Sequence, residues 1–161
     1  MKNYKSLLLL FFALLFFGSV YQVSGNSMND NISETEVLSE INYQRAKAGL
    51  SMLSQNLLLK QAADRKVQDM IDNLYFDHTS PSGIQPWDWL EDSGYQYVVA
   101  GENLAMNFSD SFEMVESWMS SESHRENLLN KNYEDYGISF GKYSDLNHSY
   151  TFAVLLLASK K

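Results

Sequence analysis

The fold of this chain is decided by the stretch Tyr136-Gly137-Ile138-Ser139-Phe140-Gly141-Lys142-Tyr143 and the segment that follows it. Residues 136–143 alternate loosely between apolar and polar side chains, and residues 144–147 are typical of a turn. Residues 149–157 are rich in apolar strand-forming side chains and place Tyr150, Phe152, Val154 and Leu156 on one face. The pattern predicts a β-hairpin.

Upstream of the hairpin the sequence is mainly helical. Ser33 and Glu36 form a capping box, and apolar residues then recur at helical spacing until Gly49. Further helices are predicted over residues 57–74, 86–91, 112–118 and 125–129, with an extended segment over 95–108 that breaks at Gly101. Helices followed by a hairpin favour an α+β fold over an alternating βαβ sheet, so we expect helices on both sides of a small antiparallel sheet.

The first residues have the layout of a secretory signal. Two lysines precede an unbroken apolar run over residues 7–17, which is shorter than the roughly 20 residues of a membrane span. We predict a signal peptide over residues 1–25 with cleavage near Gly25, a short polar leader over 26–32 and one domain over 33–161. The alternative is an uncleaved N-terminal membrane anchor, because the apolar stretch can be extended to Val20.

Charge and the lack of cysteine exclude several kinds of protein. The chain has a net charge of −8, and removal of residues 1–25 would take away only Lys2 and Lys5 and leave −10. An acidic chain lacks the electrostatic footprint of a nucleic-acid binder. With no cysteine, disulfides, thiolate metal ligands and a cysteine nucleophile are excluded together. We expect a soluble secreted protein without a stable membrane span once the signal is cleaved.

Three short strings contain residues that could form a binding or catalytic site. They are Phe76-Asp77-His78-Thr79-Ser80-Pro81, Gly101-Glu102-Asn103-Leu104-Ala105 and Ser121-Glu122-Ser123-His124-Arg125-Glu126-Asn127-Leu128-Leu129. Two histidines and a carboxylate thus lie in separate segments flanked by small or turn-forming residues, as in a site that is assembled by folding.

Together with Asn42, Arg45, Gly49-Leu50, Trp118 and Tyr136-Gly137-Ile138, these strings resemble the CAP superfamily, which comprises the cysteine-rich secretory proteins, antigen 5 and the pathogenesis-related 1 proteins. The similarity runs from about Glu36 onward and is greatest to the bacterial secreted branch. The resemblance implies an α-β-α sandwich with a central antiparallel sheet.

The resemblance also implies a cleft whose floor carries a group of His and Glu side chains. By position, His78, Glu102 and His124 match three members of that group. Ser121 stands where many eukaryotic relatives have a second Glu, so the fourth member is missing or is supplied by Glu122. Asn103 is a further cleft candidate, and we expect its amide to bind the backbone.

Two imidazoles and one carboxylate are the ligand set of a catalytic-type zinc site, which leaves a fourth position for water or substrate. His78, Glu102 and His124 are therefore candidate zinc ligands. The alternative is that these groups hydrogen-bond one another and tie three loops together, because buried polar groups must find partners.

Four aromatic residues between the first two strings also have two interpretations. Trp87, Trp89, Tyr95 and Tyr97 either edge a groove for a sugar, peptide or lipid or belong to the core and its rim. In a domain of this size, a role for these four residues in core packing is at least as good an interpretation as a role in a groove.

The resemblance leaves the function open, because the family lacks one shared reaction. The first hypothesis is a non-catalytic binding or effector module for an extracellular small ligand, glycan, peptide or protein. The alternative is a zinc-dependent hydrolase of an extracellular peptide or cell-wall polymer, with Glu122 as candidate general base. A third hypothesis makes the triad a fold-stabilising network. The missing fourth acidic member and the lack of a nucleophile motif favour the first.

Overall fold

A computed structural model describes residues 32–161 of the protein. Within them the chain forms α1 (Glu34–Lys47), β1 (Ser54–Gln55), α2 (Leu57–Asn73), α3 (Pro86–Asp92), β2 (Tyr97–Met106), α4 (Ser111–Ser120), α5 (Glu122–Leu128), β3 (Asp135–Ser144) and β4 (Ser149–Lys160). The predicted signal peptide and residues 26–31 of the predicted leader lie outside the described residues. Over residues 32–161, no helix has both the length and the apolar character needed to cross a membrane.

The helices begin where side chains satisfy the free N–H groups of their first turns. The Ser33 hydroxyl accepts from the Glu36 N–H at 3.1 Å, which is one half of the predicted capping box, and α1 follows. The other half is not formed, because the Ser33 N–H donates to Ser111 Oγ at 3.0 Å. The Asn56 side chain accepts from the Leu58 N–H at 3.0 Å and starts α2. All five predicted helices are present, although α5 begins at Glu122 rather than at Arg125.

The predicted hairpin is confirmed. Strands β3 and β4 pair antiparallel in a register that places Tyr143 opposite Tyr150 and Ser144 opposite Ser149. On its other side β4 pairs antiparallel with β2, so the sheet has the order β1-β3-β4-β2 and β2 forms one edge.

Both faces of β4 are buried, and this produces the predicted α-β-α sandwich. The even-numbered residues Phe152, Val154 and Leu156 pack with α2 and α3 in one core. The odd-numbered residues Ala153, Leu155 and Leu157 pack with α1, α4 and α5 in a second core. Because side chains alternate across a strand, a continuous apolar run serves both layers.

Two expectations were wrong in detail. The two-residue strand β1 pairs parallel with β3, so the four-stranded sheet is mixed rather than purely antiparallel. Gly101 does not break β2, which runs without interruption through it. A Cβ at this position would lie 2.4 Å from the Tyr133 hydroxyl oxygen, so glycine is required by close packing against the strand and not by a bend.

Arg45 is fully buried and holds three segments of the α1 side together. Its Nε donates to the Ser51 carbonyl at 2.8 Å, which fixes the turn after α1. Its Nη1 donates to the carbonyls of Leu128 at 2.8 Å and Asn130 at 3.0 Å, and its Nη2 to that of Tyr133 at 3.1 Å. The guanidinium therefore anchors the C-terminal end of α5, the helix that carries His124.

Candidate functional site

The site is built on an ion pair between the loop that precedes α3 and the edge strand β2. The distance from His78 Nδ1 to Glu102 Oε1 is 2.6 Å. The His78 side chain is 55% exposed, whereas that of Glu102 is only 2% exposed. The hydrogen bond to the Glu102 carboxylate raises the pKa of His78, although partial burial works in the opposite direction. The predicted convergence of these two residues is thus observed.

One carboxylate oxygen of Glu102 is left without a partner. Oε1 is bonded to His78, but Oε2 is buried and has no hydrogen-bond donor among the described residues. Unpaired buried acceptors are rare in folded proteins, because desolvation without a donor costs about 1–3 kcal/mol. Glu102 therefore retains capacity for one more donor.

Lys66 positions the loop that carries His78, and sequence reasoning missed it. It lies on α2 and is fully buried. Its Nζ donates to the carbonyls of Asp77 at 2.9 Å and His78 at 2.8 Å and to the Tyr75 hydroxyl at 3.0 Å, so all three ammonium hydrogens are used. Burial lowers the pKa of Lys66, while the charges of Glu102, Asp69 and Asp77 act against this effect.

A signal for Lys66 was present in the sequence. The buried face of α2 follows helical spacing, and position 66 falls within it; the other buried members are Leu59, Ala62, Ala63, Val67, Met70 and Ile71. A lysine on a buried face must satisfy its ammonium group internally, so it marks a polar segment that packs on the helix.

The second wall of the site lies on the other face of β2 and is formed by α5. Asn127 Nδ2 donates to the Glu102 carbonyl at 3.1 Å and to Asn103 Oδ1 at 2.9 Å. Asn103 Nδ2 in turn donates to the His124 carbonyl at 3.0 Å. The expectation that the Asn103 amide binds the backbone is confirmed, and the same bonds dock α5 against the edge strand.

His124 is half-buried on α5. Burial lowers its pKa, and the nearby charge of His78 lowers it further. Ser121 lies between α4 and α5, and Glu122 is exposed in the first turn of α5. Within residues 32–161, neither of these two side chains takes part in the hydrogen bonds that join His78, Glu102, Asn103 and Asn127.

The donor set for zinc is incomplete in this structure. Across residues 32–161, no group of three or more His, Cys, Asp or Glu side chains is arranged to hold a metal ion. His78 Nδ1 and Glu102 Oε1 are hydrogen-bonded to each other, as expected if these residues form a hydrogen-bonded network instead of a zinc site. These residues do not fit a three-ligand zinc site here, and zinc binding by His78, Glu102 and His124 stays a prediction.

The four aromatic residues divide between the two interpretations. Trp89 and Tyr95 are buried in the α2 core, as packing residues. Trp87 is 38% exposed, and its ring centroid lies 6.4 Å from that of Tyr97. Trp87 and Tyr97 are therefore the pair at the rim.

A pocket of about 330 Å³ opens between these walls. The residues that line it come from the His78 loop, the start of α3, the edge strand and α5; they are His78, Gln85, Pro86, Trp87, Ala100, Gly101, Glu102 and Asn127. The volume lies at the lower end of the ~300–1,000 Å³ typical of small-molecule sites. The His78–Glu102 pair thus lies in the wall of a cavity large enough for a small ligand.

Comparison with known proteins agrees with this architecture. Over 107 residues the chain is 40% identical to YkwD, an uncharacterized protein of Bacillus subtilis strain 168, and the match covers 66% of this chain and 42% of that protein. The chain spans less than half the length of the curated relatives it matches.

Solved structures show the same fold. An extracellular protein containing an SCP domain from Bacillus anthracis strain Ames has a TM-score of 0.68 and 29% identity, over 78% of this chain and 40% of that one. An outer surface protein of Borrelia burgdorferi has a TM-score of 0.69 and 22% identity, over 83% of this chain and all of its own. The model of the cysteine-rich secretory protein family matches residues 38–156, inside the predicted domain. The chain therefore belongs to the cysteine-rich secretory protein, or CAP, family.

Proposed function

We propose that this protein is secreted and acts as a non-catalytic binding module, whose pocket beside β2 takes a small extracellular ligand. The observation that carries the proposal is the pocket itself. It is bordered by an organised polar pair, His78 and Glu102, and by a half-exposed aromatic ring, Trp87. A concave site with a few fixed polar groups and an apolar wall is the usual form of a ligand site.

The arrangement of side chains supports binding over hydrolysis. The zinc hydrolase alternative needs His78, Glu102 and His124 to converge on one point and needs a general base within reach of a bound water. Here His78 is bonded to Glu102, and the candidate base Glu122 is exposed on the first turn of α5. The groups that the reaction requires are therefore not assembled around one reacting atom.

Secretion is supported by the N-terminal sequence and by similarity to an extracellular protein of Bacillus anthracis. The intact mass of the protein recovered from the culture medium tests it. A mass that lacks residues 1–25 is expected. A protein that stays with the cells and retains these residues would show that the N-terminal anchor is the correct interpretation.

Binding is tested by a ligand screen observed by NMR. A mixed set of small probes, which contains neutral sugars, amino acids, dipeptides, primary amines and short fatty acids, is added to 15N-labelled protein. At least one class should shift amides of Ala100, Gly101 and Glu102 in a saturable way, and His78→Ala should weaken the response. If no class shifts these amides, the proposed function is wrong.

Calorimetry with zinc separates the proposal from the hydrolase alternative. Weak or no zinc binding is expected for the purified protein. Stoichiometric binding that is lost in the double variant His78→Ala/His124→Ala, together with zinc-dependent cleavage of a peptide or cell-wall polymer, would overturn the non-catalytic assignment.

A further inference from the structure

The chemistry of the pocket restricts the class of ligand that it can hold. Its eight lining residues include no Lys or Arg, and the chain as a whole carries a net charge of −8. A phosphate, sulfate or carboxylate ligand would meet the Glu102 carboxylate without a fixed cation to offset it. Anionic ligands are therefore disfavoured.

The edge position of β2 would suit an extended peptide, but side chains block the strand. The Glu102 carbonyl accepts from Asn127 Nδ2 at 3.1 Å, and the Leu104 carbonyl accepts from the Trp118 indole N–H at 2.9 Å. Strand addition needs these outward carbonyls to be free. The ligand beside residues 102–104 must therefore be held by side chains and not by a backbone ladder.

The side-chain groups of the pocket favour a ligand that donates hydrogen bonds. Asn127 spends its Nδ2 on Glu102 and Asn103, which leaves Oδ1 as its remaining group, and Oδ1 would lie 2.9 Å from a Cβ at Gly101. Glu102 Oε2 also has no donor among the described residues. Both residues line the pocket, with Asn127 Oδ1 as the remaining acceptor of the amide and Glu102 Oε2 buried behind the pocket surface.

A charged amine is a weaker match than a hydroxyl-bearing ligand. Glu102 already has His78 Nδ1 at 2.6 Å from its Oε1, and Lys66, on the buried side of the same loop, lies close enough to feel its charge. One of the two carboxylate oxygens is therefore already bonded to a donor from the protein. Neutral hydroxyl donors satisfy the acceptors without adding a further cation.

The apolar part of the pocket is one flat wall. Trp87 is the only tryptophan with an accessible ring, since Trp89 and Trp118 are 6% and 2% exposed. It lies with Pro86 at the start of α3, and both line the same pocket as Glu102 and Asn127. A pocket that combines a flat apolar ring with hydrogen-bond acceptors is complementary to a ligand ring with an apolar face and a polar rim.

We propose that the pocket binds one neutral pyranose unit of a glycan, with the C–H face of the sugar ring on the Trp87 indole and its hydroxyls directed to Glu102 and Asn127. This inference rests on the proposed function, because it names the ligand class of the same pocket. A single six-membered ring with its substituents fits within a cavity of about 330 Å³.

The test uses two neutral probes, the N-acetylglucosamine trimer and cellotriose, titrated into the purified protein. Because only Trp87 is accessible, its fluorescence and its indole N–H resonance report on the pocket. Saturable binding of at least one probe is expected, and Trp87→Ala should weaken it at least tenfold. Tyr43→Ala removes a comparably exposed aromatic ring, 57% accessible, from α1 and should leave the affinity unchanged.

Three outcomes would overturn the inference. One is no saturable response to either glycan, and another is equal affinity in Trp87→Ala and the wild type. The third is that n-butylamine or octanoate, and neither glycan, binds at Ala100, Gly101 and Glu102, which would leave the proposed function intact with another ligand class. If none of the probe classes shifts these amides, the proposed function fails together with the inference.

Discussion

Among residues 32–161, each side of the sheet contains one fully buried cation, and the two cations are used differently. On the α1 side, Arg45 donates to four backbone carbonyls of the turn after α1 and of the segments at the end of α5 and before β3. On the α2 side, Lys66 donates to two carbonyls and a hydroxyl in the loop that carries His78. Each cation anchors one wall of the pocket.

The difference lies in the surroundings of the carbonyls. The Arg45 hydrogen bonds to the Leu128 and Tyr133 carbonyls are buried, whereas all three Lys66 hydrogen bonds are part-buried. Water can replace a lost donor more readily at a part-buried carbonyl than at a buried one. The α1 side should therefore respond to loss of its cation mainly in stability, and the α2 side mainly in the geometry of the site.

Arg45→Met should have the largest effect on the molecule. The change retains much of the apolar stem but leaves buried carbonyls without donors, which should lower the free energy of unfolding by about 3–5 kcal/mol. Urea denaturation measures it. Arg65→Met is the matched control, since Arg65 is exposed, with an ion pair to Asp92 and a cation–π contact with the Trp89 ring; it should cost no more than about 1–2 kcal/mol. Equal costs for the two variants would contradict the assigned role of Arg45.

Lys66→Met should be less destabilising but should displace the site. A loss of about 2–3 kcal/mol is expected, because the Asp77 and His78 carbonyls can recruit water. The amide resonances of residues 76–80 should shift or broaden, and the contact between His78 and Glu102 should weaken. Lys60→Met on the same helix removes a half-exposed lysine that pairs with Asp64, and it should leave residues 76–80 unperturbed. Unchanged resonances in both variants would mean that Lys66 does not position the loop.

Asn127→Ala tests how α5 is docked on the edge strand. The change removes two hydrogen bonds, to the Glu102 carbonyl and to Asn103 Oδ1, and should cost about 1–2 kcal/mol. Amide exchange near Glu102 should accelerate, because the strand edge is uncovered. In the control, Asn132→Ala, an exposed side chain is lost, and exchange in β2 should not change. Unaltered exchange in Asn127→Ala would show that the edge is protected by other contacts.

The parts of the fold that follow local rules could be predicted from the sequence. The capping side chain of Ser33 and the strand over residues 149–157 depend on neighbours along the chain, and both predictions are confirmed. Strand β1 was missed because two residues carry no periodicity, and its pairing with β3 depends on tertiary structure. Gly101 was misinterpreted for the same reason, since the contact that requires glycine comes from Tyr133, far along the chain.

The candidate site was predicted in part. The order of the three strings, through the family resemblance, indicated that His78 and Glu102 meet, and they do. Lys66 was overlooked because the buried face of α2 was identified from apolar residues alone, although position 66 also lies on that face. The positions of Trp87 and Asn127 in the pocket wall could not be predicted in this way. They depend on which side chains the fold leaves exposed and which polar atoms are already hydrogen-bonded, and sequence spacing does not contain that information.

The smallest effect, and the one that separates the two walls most directly, is the pH dependence of the two site histidines. Unfolded histidine has a pKa of about 6.5. Glu102 raises the pKa of folded His78, so its contribution to stability is present below about pH 6.5 and is lost as the pH rises through the folded value. Burial and the charge of His78 lower the pKa of His124, so this residue disfavours folding increasingly as the pH falls below about 6.5.

Urea denaturation at about pH 5 and about pH 8 should therefore show His78→Gln to be more destabilising at the lower pH. His124→Gln should be less destabilising there than at the higher pH, because it removes a group that resists protonation in the folded state. If both variants shift in the same direction, the two histidines share one environment, and the division of the site into an ion-paired wall on the Lys66 side and a desolvated wall on the Arg45 side is wrong.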